Sequence, residues 1–85
     1  MKVSNAWGVP NQFIIYAPEA TYFQSYESII VKTTFENGKK VYYLDEEKWD
    51  YSRTTGKYRN SFLGETKKET EKKIKDGIYK LVNLN

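Results

Sequence analysis

The chain has 85 residues, 39% of them hydrophobic and 16% aromatic (eight Tyr, four Phe and two Trp), and its 14 basic and 11 acidic side chains leave a net charge of +3. It contains neither cysteine nor histidine. That excludes a disulfide scaffold, the usual zinc sites, a Cys nucleophile and the Ser-His or Cys-His pairs that activate a nucleophile. Any general acid or base must then be a carboxylate, a lysine or a tyrosine, and we expect a non-enzymatic protein that uses no metal or cofactor.

A chain this short buries only about 60–65% of the surface its unfolded form exposes, so we expect one domain over residues 1–85. Its charge is too balanced for a dedicated phosphate binder or a DNA mimic. The longest apolar run, "FIIYA", is far too short to span a bilayer, and the first residues lack the pattern of a signal peptide. We therefore expect a cytoplasmic protein.

The first eleven residues, "MKVSNAWGVPN", mix Ser, Asn, Gly and Pro around Trp7 and predict an irregular arm whose indole rests on the body of the domain. "QFIIYA" predicts a short strand closed by Pro18, and "PEATYFQSY" a connection with aromatic anchors. The clearest element is the hairpin "YESIIVKTTFENGKKVYYLD", where Asn37-Gly38 offers the two positive-φ positions of a type I′ turn. That turn pairs Phe35 with Lys40, Thr33 with Tyr42 and Val31 with Leu44. Strict alternation then places Ile29, Val31, Phe35, Tyr42 and Leu44 on the core face and Ile30, Lys32, Thr34, Val41 and Tyr43 on the other.

After the acidic turn Asp45, Glu46 and Glu47, which needs no ion to explain it, Tyr51, Thr55, Tyr58 and Phe62 fall at helical spacing. We expect a helix capped by Ser52 or Thr54 and ended by Gly64, with Gly56 costing about 1 kcal/mol inside it. A second helix starts with the capping box Thr66/Glu69, carries the pairs Glu69–Lys73 and Glu71–Lys75, and stops at Gly77. Its apolar face is thin, with Leu63, Ile74 and Ile78 to hold it. "IYKLVNL" predicts a closing strand. The fold expected is α+β: a small antiparallel sheet of N-terminal strand, hairpin and C-terminal strand, packed with two short helices.

Two stretches carry a family pattern. Ser25, Tyr26, Ser28, Ile29 and Ile30 form an S-Y-x-S-I-I strand, and Tyr51, Ser52, Thr54, Thr55, Phe62 and Leu63 belong to W-x-Y-S-x-T-T-x-K-Y-x-x-x-F-L. Together they resemble a widespread family of small proteins, encoded by bacteriophages and mobile elements, that has no agreed activity. The resemblance covers about two thirds of the chain. Val31 replaces the small residue usual after the isoleucine pair, and Lys57-Tyr58 stands where many relatives have histidine. It implies a viral or mobile-element setting in a bacterial host and an α+β fold, without an activity.

The segment "WDYSRTTGKYRNSFLG" carries the candidate site. Its apolar and hydroxyl positions have an ordinary use as core and caps. Arg53, Lys57, Arg59 and Asn60, near a helix N-terminus and flanked by Tyr51 or Tyr58, make a cationic patch for an anionic partner, and Tyr43 adds an aromatic near the middle of the outer hairpin face. Ser25 and Ser28 flank Tyr26 without a partner base, so strand entry explains them better than nucleophilic chemistry. We expect a binding module whose target is a host or phage protein or nucleoprotein complex, with direct nucleic-acid binding by this helix surface as the alternative. The outer face with Ile30, Val41 and Tyr43 is a candidate homodimer contact, and no membrane partner is expected.

Overall fold

Asn37 and Gly38 both take positive φ, 55° and 79°, and the hairpin closes around them as a type I′ turn requires. Its strands pair Val31 with Leu44, Thr33 with Tyr42 and Phe35 with Lys40, the register expected from the turn. The computed structural model describes residues 2–85; residue 1 of the expected arm lies outside the described residues. Six strands, β1 (Lys2–Asn5), β2 (Gln12–Tyr16), β3 (Thr21–Ser25), β4 (Ser28–Glu36), β5 (Lys39–Asp45) and β6 (Tyr79–Val82), form one sheet in chain order. Helices α1 (Arg53–Leu63) and α2 (Lys67–Lys75) connect β5 to β6, so the fold is α+β.

Three features differ from expectation. The arm is not irregular throughout, because Lys2–Asn5 pairs with β2 as an edge strand, and an edge needs partners on one side only, which a polar sequence tolerates. The connection contains β3, whose inward Ser25 is served by the Thr55 hydroxyl at 2.9 Å. The sheet is also not wholly antiparallel: β6 runs parallel to β5, because two helices intervene and carry the chain back to its starting end.

The hairpin faces need a further correction. Phe23 pairs with Val31 but Gln24 pairs with Ile29, which leaves Ile30 as the extra residue of a β-bulge. Ile30 and Val31 are both completely buried, whereas Ile29 is only half-buried. Ile30 therefore belongs to the core, and the bulge exchanges it with Ile29. Phe35, expected inside, is 71% exposed, because the hairpin tip from Phe35 to Lys40 stands clear of the packed region and is exposed throughout.

The core lies between the inner sheet face and the helices: Phe23, Ile30, Val31, Leu44 and Tyr79 are buried, and Tyr42, Trp49, Tyr58, Phe62, Leu63 and Ile74 pack on them. Phe62 stacks on Phe23 at 5.6 Å. Trp7 reaches the domain body as expected, stacked on Tyr58 at 5.3 Å and edge-on to Phe23 at 5.8 Å.

Both helix caps follow the sequence. Ser52 accepts the Thr55 N–H at 3.1 Å, Gly64 ends α1 at φ 71°, and Thr66 with Glu69 forms a complete capping box. The expected Glu69–Lys73 and Glu71–Lys75 pairs are not among the ion pairs of the described residues; Lys73 turns instead to Glu65 at 2.6 Å, and the i,i+4 pair that forms is Lys72–Asp76 at 3.0 Å. Glu69 is committed to its cap.

Glu65 joins α2 to β6, accepting hydrogen bonds from Thr70, Lys73 and Tyr79 at 2.6, 2.6 and 2.8 Å. Burial pushes its carboxyl up, but these donors outweigh burial and hold its pKa below the ordinary 4.5. A lowered folded pKa gives stability that is complete above the ordinary carboxylate range and lost as pH falls through the folded value. Glu65→Gln should therefore cost about 1–2 kcal/mol at neutral pH and flatten the acid limb of a plot of unfolding midpoint against pH. An acid limb as steep as that of the unaltered protein would contradict this.

The acidic turn has a structural use too. Asp45 is buried and accepts N–H bonds from Lys48 at 2.9 Å, Glu47 at 3.2 Å and Leu84 at 2.8 Å. Burial raises its pKa, yet the Leu84, Asn85, Glu47 and Lys48 donors more than compensate and lower it. The Asn85 carboxamide then brackets Ile29, accepting its N–H at 2.8 Å and donating to its carbonyl at 3.0 Å.

Candidate anion-binding cleft at the start of α1

The loop before α1 places Asp50 and Tyr51 beside the first helical turn, and the Ser52 cap fixes how the chain enters. A cleft of about 640 Å³ opens there, in which Arg53, Lys57, Arg59 and Lys67 face a single carboxylate, Asp50. The first turn of α1 holds no acidic residue, so its free amide end adds positive potential that nothing on the helix cancels.

Asp50 is already engaged, 3.0 Å from the Arg59 guanidinium and 2.7 Å from Lys67. Burial raises its pKa, but the bonds from Lys67 and Arg59 prevail and hold it below the ordinary range, while Asp50 pushes the Lys67 ammonium up. The cleft thus presents a fixed, neutralised floor and an uncompensated cationic rim. Arg53 and Lys57 are exposed and form no ion pair among the described residues.

Arg59 requires a correction. Expected at the surface as a contact residue, it is completely buried, donating to the Trp49 carbonyl at 2.7 Å and the Asn60 side chain at 2.9 Å. Its guanidinium lies 5.1 Å above the Trp49 ring. The helical stripe is wider than the apolar residues suggest, because a planar guanidinium stacked on an indole and paired with a carboxylate can be buried where a lysine cannot.

Gly56 is explained by the same packing. A Cβ there would meet the Asp50 carboxylate at 3.4 Å and the Arg59 guanidinium at 3.7 Å, ordinary contact distances, so glycine leaves open the cleft floor directly above the ion pair. Gly56→Ala should then raise stability by about 0.5–1 kcal/mol in urea denaturation, the usual gain inside a helix. A loss of stability would show that the ion pair cannot admit the methyl group.

Of the other sequence candidates, Tyr51, Arg53, Lys57 and Asn60 all line the cleft, with Lys48 5.0 Å from the Tyr51 ring centre. Tyr58 does not line the cleft; its ring stacks on Trp7, and it flanks the rim through Lys57, whose ammonium lies 5.3 Å from the ring centre. Tyr43 is farther away still. It pairs with Lys32 and Lys80 in the row that points away from the helices. The sequence reading missed Asp50 and Lys67: Asp50 stands inside the motif, but Lys67 lies beyond Gly64 and reaches the cleft only because α2 folds back.

Among the described residues no helix is long and apolar enough to cross a membrane. Neither the curated proteins nor the solved structures contain a match to this chain. A model of a family of unknown function, DUF8033, matches residues 1–77, a span that takes in both sequence motifs and every residue of the cleft, and the chain belongs to that family.

Proposed function

We propose that this is a small non-enzymatic accessory protein of a bacteriophage or mobile element, acting in the cytoplasm of the bacterial host by occupying an acidic surface of a host or phage protein or nucleoprotein complex. The motif resemblance supports the phage or mobile-element setting. The observation that carries the mode of action is the rim of Arg53, Lys57 and Lys67 around the engaged Asp50. With Arg59 inside and Lys67 bound to Asp50, the free cations of the rim are Arg53 and Lys57, gathered at one end of a helix. Such a short footprint matches a cluster of carboxylates better than a length of phosphodiester, which is tracked by cations spaced along a groove. Inhibition of a defence system, such as a CRISPR effector or a defence nuclease, suits a protein that acts by covering a surface.

The experiment is capture from host lysate, with and without nuclease treatment, using the unaltered chain and the double variant Arg53→Glu, Lys57→Glu as baits. A protein retained after nuclease treatment by the first bait and lost with the second supports this reading. Capture that survives the charge reversal, or disappears with the nuclease, overturns it.

A further inference from the structure

Both helices pack on the inner face of the sheet, and no helix or strand of the described residues covers the outer face, which the turn after β5 and the chain at Leu84 close only at Asp45. One continuous row crosses it through all six strands: Val3, Ile15, Tyr22, Lys32, Tyr43 and Lys80, each paired with the next. Lys32 and Lys80 flank Tyr43 from the strands on either side, their ammoniums 5.7 and 6.0 Å from its ring centre. A neighbouring row adds Phe13 and Ile29 on either side of Gln24.

The charge on this face is positive on balance. The strands place three ammoniums on it, Lys32, Lys39 and Lys80, against two carboxylates: Glu36, which is paired across the ladder with Lys39 and accepts the Tyr43 hydroxyl, and Asp45, which is buried at the end of β5 among backbone N–H groups. A second copy docked face to face would oppose one lysine-bearing surface with another, which costs rather than stabilises. An open sheet face with no second element beside it offers no groove for a helix, and an extended peptide would add to a sheet edge instead. The Tyr43 ring, set between two lysines on strands about 10 Å apart, two strand spacings, with the Tyr22 ring on the far side of Lys32, suits a ligand that is itself planar and anionic in alternation.

We propose that the outer sheet face binds single-stranded nucleic acid, with a base stacked on Tyr43, a second on Tyr22, and phosphates taken by Lys32 and Lys80. A base entering over Tyr43 moves the two ammoniums aside to where its flanking phosphates lie. Stacking accepts any base, so the binding is tolerant of sequence. The inference is independent of the cleft at α1, which opens on the other side of the molecule.

The test is fluorescence anisotropy of a labelled oligothymidylate about 15 nucleotides long, titrated with the full chain at several salt concentrations. We expect single-strand binding stronger than binding to a duplex of the same length. Lys32→Ala with Lys80→Ala should lower the slope of log affinity against log salt by about 1.4, or about 0.7 per phosphate contact. Tyr43→Ala should weaken binding by on the order of ten-fold, and Tyr43→Phe, which keeps the ring, should restore it. Should Tyr43→Ala fail to fold by circular dichroism, the lysine pair decides. The proposal is overturned by absence of binding at low salt, by equal affinity for duplex, by sensitivity to Arg53→Ala and Lys57→Ala in place of the sheet lysines, or by a dimer that Tyr43→Ala dissociates without any effect of the oligonucleotide.

Discussion

Arg59→Ala should destabilise the protein by about 2–4 kcal/mol, several times the effect of Arg53→Ala or Lys57→Ala on the same helix. The side chain is fully buried and holds the Trp49 carbonyl, the Asp50 carboxylate and the Asn60 carboxamide together. Its removal leaves those acceptors without their donor and strips the cation from the Trp49 ring. The loss falls below the full figure for a buried pair because Asp50 is 27% exposed and still has Lys67. Arg53 and Lys57 hold no such partners, so their replacement should change stability by less than about 0.5 kcal/mol. Thermal or urea unfolding of the three variants checks the contrast, and equal effects would contradict an interior Arg59.

Phe23→Ala should cost about 3–5 kcal/mol, the range for emptying a well-packed aromatic site. Phe23 has no exposed surface and is contacted by Phe62 from α1 and by Trp7 from the turn after β1. It therefore ties three parts of the chain to the centre of the sheet, and the aromatic contacts add to the loss of buried area. In a domain of this size each kcal/mol moves the midpoint by roughly 4–8 °C. The variant should thus melt far below the unaltered protein or fail to fold cooperatively. A loss under about 1 kcal/mol would mean that the helix does not pack where it is described.

What could be read from the sequence was the part governed by local rules. Asn37-Gly38 fixed the hairpin register, Ser52 and Thr66 with Glu69 marked the helix starts, and Gly64 marked an end, since each acts through backbone groups within a few residues. The faces of β4 were harder, because a bulge arises between two strands and no single strand announces it; alternation carried through Ile30 reversed the places of Ile29 and Ile30. Strand β1 escaped because an edge strand need not be apolar. The position of Lys67 depended on how α2 returns, which local pattern does not contain.

The candidate site shows the same division. Spacing brought Tyr51, Arg53, Lys57 and Asn60 correctly to one cleft, but it could not tell a solvated arginine from one laid on an indole. Arg59 lies one position from Tyr58 on the helix, and only Trp49 and Asp50, positioned by the preceding loop, draw it inward. Tyr58 is claimed by Trp7, fifty-one residues earlier in the chain.

In the function proposed above, the free rim of the cleft, and not the buried arginine beneath it, meets the partner. Amide hydrogen exchange of the protein with and without the captured partner tests this most directly. Slowed exchange should be concentrated from Tyr51 to Asn60 and at Lys67, with the hairpin tip unchanged. Slowing confined to the hairpin tip and β1, with the start of α1 exchanging as in the free protein, would contradict it.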